Sequence, residues 1–303
     1  MKVLKIIAVL FFVFVLVVVG LGIYLLAPKD ATSTEGQTLT VVSGERSADI
    51  AKRLENVGLI KNSFAFYVYL KLIGGKILPG TYELTSAESA SDIANTLASG
   101  KFKVAKITII EGWRVSQTEK YLVDEAKLSQ MVGFAAKAGK YEGYLFPDTY
   151  EVKVDITDDE LIALMRDTFI ERTAGLRITP ETVILASIVE REALSDDDRP
   201  PIAGVYANRV KISMRLQADP TVQYAKGSWE ALEYGDTESV ESPYNTYLND
   251  GLPPGPICSP GLKSLEAAAK PATHDYLYFF HAKGQTHFSK TYAEHQAKLA
   301  QFF

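Results

Sequence analysis

The first hydrophobic feature of the chain is a block without a period. Residues 6–26, IIAVLFFVFVLVVVGLGIYLL, carry no charge and match the roughly 20 residues a helix needs to cross a bilayer. Lys2 and Lys5 precede the block, so the positive-inside rule predicts a short cytoplasmic tip and export of everything after Pro28. The run outlasts the apolar region of a cleaved signal, and Ala27-Pro28 offers no small-x-small cleavage site. The expectation is a retained anchor over residues 1–28, followed by a polar linker at 29–37.

Beyond the linker the pattern turns periodic and echoes itself. Ser47-Ala48-Asp49-Ile50-Ala51-Lys52-Arg53-Leu54 is matched by Ala90-Ser91-Asp92-Ile93-Ala94-Asn95-Thr96-Leu97. Each follows a short apolar or alternating segment, at 39–42 and 81–84, and each ends near a glycine, Gly58 or Gly100. That is strand, turn and short helix, used twice. A weaker third copy starts at 107–110 and enters a helix with Ser116 and Glu119 spaced as a capping box. Two copies do not make a solenoid, so a small α+β domain is expected at 38–103, with a larger mixed α/β domain at 104–303.

In that larger part, Thr157 and Glu160 are spaced as a capping box for a helix with Leu161, Leu164, Met165, Thr168 and Phe169 on its apolar face. The next helix is capped by Thr179 and opened by Pro180 and Glu181. Val183, Ile184, Leu185, Ala186, Ile188 and Val189 make it apolar on all sides, which marks a buried helix. Glu190 follows at its end. A carboxyl leaving a core helix is desolvated, which raises its pKa and suits a general acid near neutrality. The other reading is an ion pair with Arg209, on a helix where Ile202, Val205, Tyr206, Arg209 and Val210 recur. The stretch alone favours the ion pair. Glu192 lies about 200° further round the helix, so it points to nearly the opposite side and cannot pair with Glu190.

Further on, residues 214–217 read as a short strand and Asp219-Pro220 as the turn into a helix. Residues 227–242 are a polar surface excursion, and Gly251-Leu252-Pro253-Pro254-Gly255-Pro256-Ile257 is a stiff loop of the kind that lines sites. A helix at 262–269, a hairpin turning at Lys283-Gly284 and a terminal helix at 292–302 complete the chain. The aromatic run at 141–150 suits a packed loop better than a sugar platform.

Composition narrows the function. The 303 residues suggest about two domains. A net charge of −5 without a basic stripe argues against nucleic acid. Cys258 is the single cysteine, which excludes an internal disulfide and most cysteine-based metal sites. No G-x-S-x-G elbow, P-loop or HExxH occurs. His274, His281, His287 and His295 lie late in the chain and read as surface or core residues rather than ligands. No metal or cofactor is expected.

Glu111-Gly112-Trp113, the run from Glu142 to Tyr150, Leu185-Ala186-Ser187-Ile188-Val189-Glu190, Asn208-Arg209, the run from Leu216 to Val222, Tyr244-Asn245-Thr246-Tyr247 and Gly251 to Ile257 occur in this order. Together they resemble the YceG-like family of membrane-anchored endolytic murein transglycosylases, over nearly the whole exported chain. Residues from Leu39 to about Gly100 resemble LysM modules, small β-α-α-β readers of cell-wall glycan. The resemblance implies cleavage of the β-1,4 bond between N-acetylmuramic acid and N-acetylglucosamine within peptidoglycan strands, leaving 1,6-anhydro-muramyl ends. It carries the catalytic acid onto Glu190. Gln217, Tyr244 and Asn245 then offer hydrogen bonds to sugar hydroxyls or acetamido groups; Asp219 orients them or caps the helix at Pro220; Tyr247 stacks on a sugar or packs.

A hydrolytic outcome would call for a second carboxylate, with Asp219, Asp148 and Glu142 as candidates. The resemblance also implies a single-pass plasma-membrane protein with its bulk periplasmic or extracellular, working beside cell-wall synthases. Two rival readings are a non-catalytic anchored peptidoglycan scaffold and a pyridoxal-phosphate lyase, the latter at odds with export.

Overall fold

A computed structural model describes residues 2–302. Contacts divide the chain into a first unit, residues 1–105 with 152–155, and a second, residues 106–151 with 156–303.

The first unit opens with α1 (Lys2–Leu26), whose stretch Leu4–Leu26 is long and apolar enough to cross a membrane. It continues as β1 (Gly36–Val41), α2 (Ser47–Asn56), α3 (Ser63–Leu72), β2 (Gly80–Thr85) and α4 (Ala90–Ser99). The two strands pair antiparallel, with Leu39 opposite Tyr82 and Val41 opposite Gly80. Alternation puts Leu39, Val41, Tyr82 and Leu84 on one face, where they meet Ile50 and Leu54 of α2, Phe66 and Leu70 of α3, and Ile93 and Leu97 of α4. Helix α3 is not announced by the paired echo, because its pattern has no partner in the second copy. Asn62 caps it through the amide of Ala65, and Ser89 caps α4 through that of Asp92. Gly100 ends α4 at φ 69°, a left-handed position that glycine occupies without strain.

The chain leaves the first unit along β3 (Val104–Thr108) and returns along its hydrogen-bonded neighbour β4 (Thr149–Lys153). Between them lie α5 (Val115–Asp124) and α6 (Phe134–Ala138). The expected Ser116–Glu119 box does not form. Helix α5 starts two residues earlier, with Arg114 as its cap, and the Glu119 carboxylate turns to the amides of Gly133 and Ala135, at 3.1 and 2.6 Å. Those amides begin α6, where a helix has unpaired donors.

The rest of the second unit is α7 (Asp158–Arg172), α8 (Pro180–Glu192), α9 (Arg199–Lys211), α10 (Asp219–Lys226), α11 (Asp236–Ser239), α12 (Leu262–Ala269), a hairpin of β5 (Tyr278–Ala282) and β6 (Gln285–Ser289), and α13 (Tyr292–Leu299). Helix α8 is the hub: residues 183–189 are all buried, and α9, α10 and α12 pack around it. Gly204 lets α9 approach residues 272–274 closely, since a Cβ there would run into the carbonyl of Ala272 and the ring of His274. Asn208 and Arg209 then donate to the carbonyls of His274, Tyr276 and Leu277, tying α9 to the chain entering β5. Residues 214–217 form no strand. Gln217 sits at φ 45°, which an extended strand cannot contain. The aromatic run packs as expected: Leu145, Phe146 and Tyr150 are buried, and the Tyr150 hydroxyl donates to the carbonyl of Phe146 at 2.6 Å.

Candidate active site

The end of α8 sends two glutamates in different directions. Glu190 enters a closed polar knot. Its side chain is 6% exposed, pairs with Arg199 at 3.1 Å, and accepts the Gly261 amide at 3.0 Å. Arg199 is completed by Ser264 Oγ at 2.9 Å and by the carboxylate of Asp196. The ion-pair partner is therefore Arg199 and not Arg209, whose guanidinium is spent on the carbonyls of Leu277 and Leu216. Glu111 lies against Gly261 in the same knot, and its carboxyl is raised by burial and by the charge of Glu190.

Glu192 faces a cleft of about 220 Å³ shared with Tyr206, Arg209, Gln217, Asp219, Tyr247, Phe279, Phe280 and His281. The Tyr206 hydroxyl donates to its Oε1 at 2.7 Å. Burial pushes the Glu192 carboxyl up to about 7, with the Asp219 charge acting in the same direction and the Tyr206 bond and Arg209 opposing it. Such a group is half protonated at neutral pH and can both give and take a proton. Across the cleft Tyr247 donates to Asp219 Oδ1 at 2.6 Å.

A short buried loop clamp lies behind Gln217 of the cleft wall. The Gln217 amide donates to the Thr246 carbonyl at 3.1 Å, the Ala218 amide to Thr246 Oγ1 at 3.0 Å, and the hydroxyls of Thr221 and Thr246 meet at 2.9 Å. Gln217 is held in the left-handed region by this clamp, a strained conformation for a residue with a side chain and a frequent mark of functional sites.

The sequence expectations divide accordingly. Gln217, Asp219 and Tyr247 share one cleft, and the glutamate they share it with is Glu192, not Glu190. Asn245 is fully buried; it donates to the carbonyls of Thr237 and Val240, and its Oδ1 accepts the Tyr247 amide at 2.9 Å. It therefore positions Tyr247 and is closed to a sugar. Tyr244 packs on Tyr224, ring centroids 4.7 Å apart, outside the lining of the cleft. Of the candidate second carboxylates, Asp148 is paired with Arg172 at 2.6 Å, and Glu142, pushed up to about 7 by burial, accepts the Val115 amide. Asp219 alone of the three lines the cleft with Glu192. Among the described residues no group of three or more His, Cys, Asp or Glu is placed to hold a metal.

Residues 39–301 match the profile of the YceG-like family. The chain belongs to that family. Among its YceG-like relatives, a Bacillus subtilis protein named endolytic murein transglycosylase is 34% identical, over 90% of this chain and 87% of its own length. A Streptococcus pneumoniae protein of the same name is 29% identical over 91% of this chain, which spans only 60% of that relative. A crystal structure of a YceG-like protein from Listeria monocytogenes matches with a TM-score of 0.56 at 34% identity, covering 88% of this chain and 99% of that one.

Tyr206 and His281 escaped the sequence reading. Tyr206 counted only as one apolar position of a periodic helix, and nothing in its spacing announces a hydroxyl aimed at α8. His281 lies on the wall of the cleft, with Nδ1 3.0 Å from Thr286 Oγ1, and burial lowers its pKa.

Proposed function

We propose that this protein is an endolytic murein transglycosylase whose general acid is Glu192. The observation that carries the reading is the position of that carboxyl, raised to about 7 and sharing one cleft with Gln217, Asp219 and Tyr247. The names of the bacterial relatives support the substrate class. Glu190 is a poor candidate by comparison, because its two oxygens are taken up by Arg199 and the Gly261 amide and it does not line the cleft.

The chemistry needs one carboxyl acting twice. Protonated Glu192 gives its proton to the bridging oxygen as the bond from C1 of N-acetylmuramic acid to that oxygen breaks. The resulting carboxylate takes the proton of the same sugar's C6 hydroxyl as O6 bonds to C1, closing the 1,6-anhydro ring. Water is not consumed, and Glu192 ends as it began. Gln217 presents an amide to sugar hydroxyls or the acetamido group. Asp219 fixes the Tyr247 hydroxyl, and its negative charge helps keep Glu192 protonated.

The first unit has the β-α-α-β order of a LysM-like module, and we assign it contact with glycan. Helix α1 anchors the protein in the plasma membrane, with both units outside the cytoplasm beside the wall-building machinery. Mass analysis of products from purified glycan strands tests the reaction: anhydro ends are lighter by one water than hydrolysed ends. Reducing muramic ends as the main product would replace the lytic mechanism with hydrolysis, and no product would favour an anchored peptidoglycan scaffold.

A further inference from the structure

Helix α3 buries Phe66 and Leu70 in the core of the first unit. Its other large apolar residues face outwards: Phe64, Val68 and Leu72 are 74, 39 and 80% exposed. Spaced four apart, they form one stripe along the helix. The stripe is one wall of an apolar groove of about 300 Å³ whose other wall is Val18, Leu21 and Leu25 of α1. Large apolar side chains gathered in this way on a surface mark a partner or a membrane.

The neighbouring element identifies the occupant. Leu4–Leu26 has the length and hydropathy of a membrane span and is unburied within the chain. From Val18 to Leu25 the helix rises about 10 Å, so the stripe runs beside the end of the span within the depth of one leaflet. An interfacial helix sinks its apolar face about 5–10 Å into the boundary between headgroups and acyl chains. Polar groups suit the same boundary. Lys61 lies 4.4 Å from the ring centroid of Tyr24, with Nζ 3.4 Å from the Tyr24 carbonyl, and Lys71 borders the stripe beside the Tyr67 ring. Lysine and tyrosine are the residues that settle at headgroup depth.

We infer that α3 lies in the bilayer surface, with Phe64, Val68 and Leu72 among acyl chains beside the end of α1 and Lys61 and Lys71 among headgroups. This rests on the reading of α1 as a membrane span. The first unit is then seated on the lipid instead of swinging on a tether, which fixes how near the membrane its glycan-facing surface stands.

The test uses the full-length protein in vesicles of phosphatidylcholine and phosphatidylglycerol. An environment-sensitive dye is placed on Phe64→Cys, Val68→Cys or Leu72→Cys, one at a time; Cys258 is fully buried and stays unlabelled. Val13→Cys on α1 reports the span, and Lys52→Cys on the exposed side of α2 reports water. The proposal predicts blue-shifted emission at 64, 68 and 72 that is lost to brominated lipid, as at 13, while position 52 responds to aqueous iodide only. Quenching at 13 by lipid, but at 64, 68 and 72 by iodide, would leave the span intact and overturn the seating of α3. Protection of the α3 labels from both quenchers would overturn it in favour of a protein partner or a second copy. Failure of lipid to quench position 13 would remove the anchor itself, and the proposal with it.

Discussion

The Tyr206 hydroxyl lies 2.7 Å from Glu192 Oε1 and donates to it. Tyr206 is 1% exposed and its own pKa is raised well above the usual tyrosine value, first by burial and then by Glu192, so it stays a donor at every working pH. This bond favours the charged form of Glu192 and partly offsets the desolvation that favours the neutral one. Tyr206→Phe removes the bond and leaves the ring in place. The Glu192 pKa then rises, and the limb of the kcat/KM profile set by loss of the acid moves to higher pH. A pH–rate profile of the variant checks this; an unshifted limb means the hydroxyl does not tune the acid.

The same carboxyl shapes the pH dependence of stability. An unfolded glutamate releases its proton near 4.5, whereas folded Glu192 and Glu142 keep theirs to about 7. Between those values the native state binds more protons than the unfolded state, so both groups lower stability as pH rises from about 4.5 to about 7, on the order of 3 kcal/mol each. Below 4.5 the penalty is absent, and above 7 it is complete. Glu192→Gln should therefore melt higher than the wild type at pH 8 and close to it at pH 4. Thermal melts of the two proteins across pH 4–8 measure the difference curve, and a flat curve would mean that Glu192 is not raised.

Asp219 and Tyr247 form a second hydroxyl–carboxylate contact across the cleft, at 2.6 Å. Tyr247→Phe breaks it and frees Asp219. The contact orients both groups in the cleft, so its loss should appear in glycan cleavage; a fall of roughly tenfold corresponds to about 1.4 kcal/mol of lost transition-state stabilisation. The melting temperature should change little, because Asp219 is exposed. Single-turnover cleavage beside a melt separates the two effects.

Much of this architecture was legible in the sequence, and the exceptions have physical reasons. The start and interior of α8 were readable because the start carries local signals, Thr179 and Pro180, and the interior is apolar on every side; its end lies two residues past Glu190, at Glu192. The capping box at Thr157 and Glu160 and the echo around Asp49 and Asp92 were legible for the same reason: each is a short-range pattern. The surroundings of Glu190 and Glu192 were not. Periodicity gave their opposite directions correctly, but which direction leads to the cleft and which to Arg199 depends on residues 199 and 261, brought in by tertiary folding. Asn245 looked like a sugar ligand for a related reason, since its carbonyl partners at Thr237 and Val240 lie in an excursion without a recognisable pattern. Gln217 read as part of a strand because a left-handed residue other than glycine leaves no trace in composition.

The central claim is that the proton comes from Glu192 and that Glu190 is a strut. Glycan strands treated with the wild type, Glu192→Gln and Glu190→Gln, with each variant's folded fraction taken from its melt, test it most directly. The account predicts that Glu192→Gln stays folded and loses about 10²- to 10⁴-fold in anhydro-muramyl product, the range for a lost general acid. Glu190→Gln should lose stability, by up to about 3–5 kcal/mol for a buried pair left half-made, yet keep most of its activity per folded molecule. The reverse pattern, full cleavage by Glu192→Gln and none by folded Glu190→Gln, would contradict the account and return the acid to Glu190.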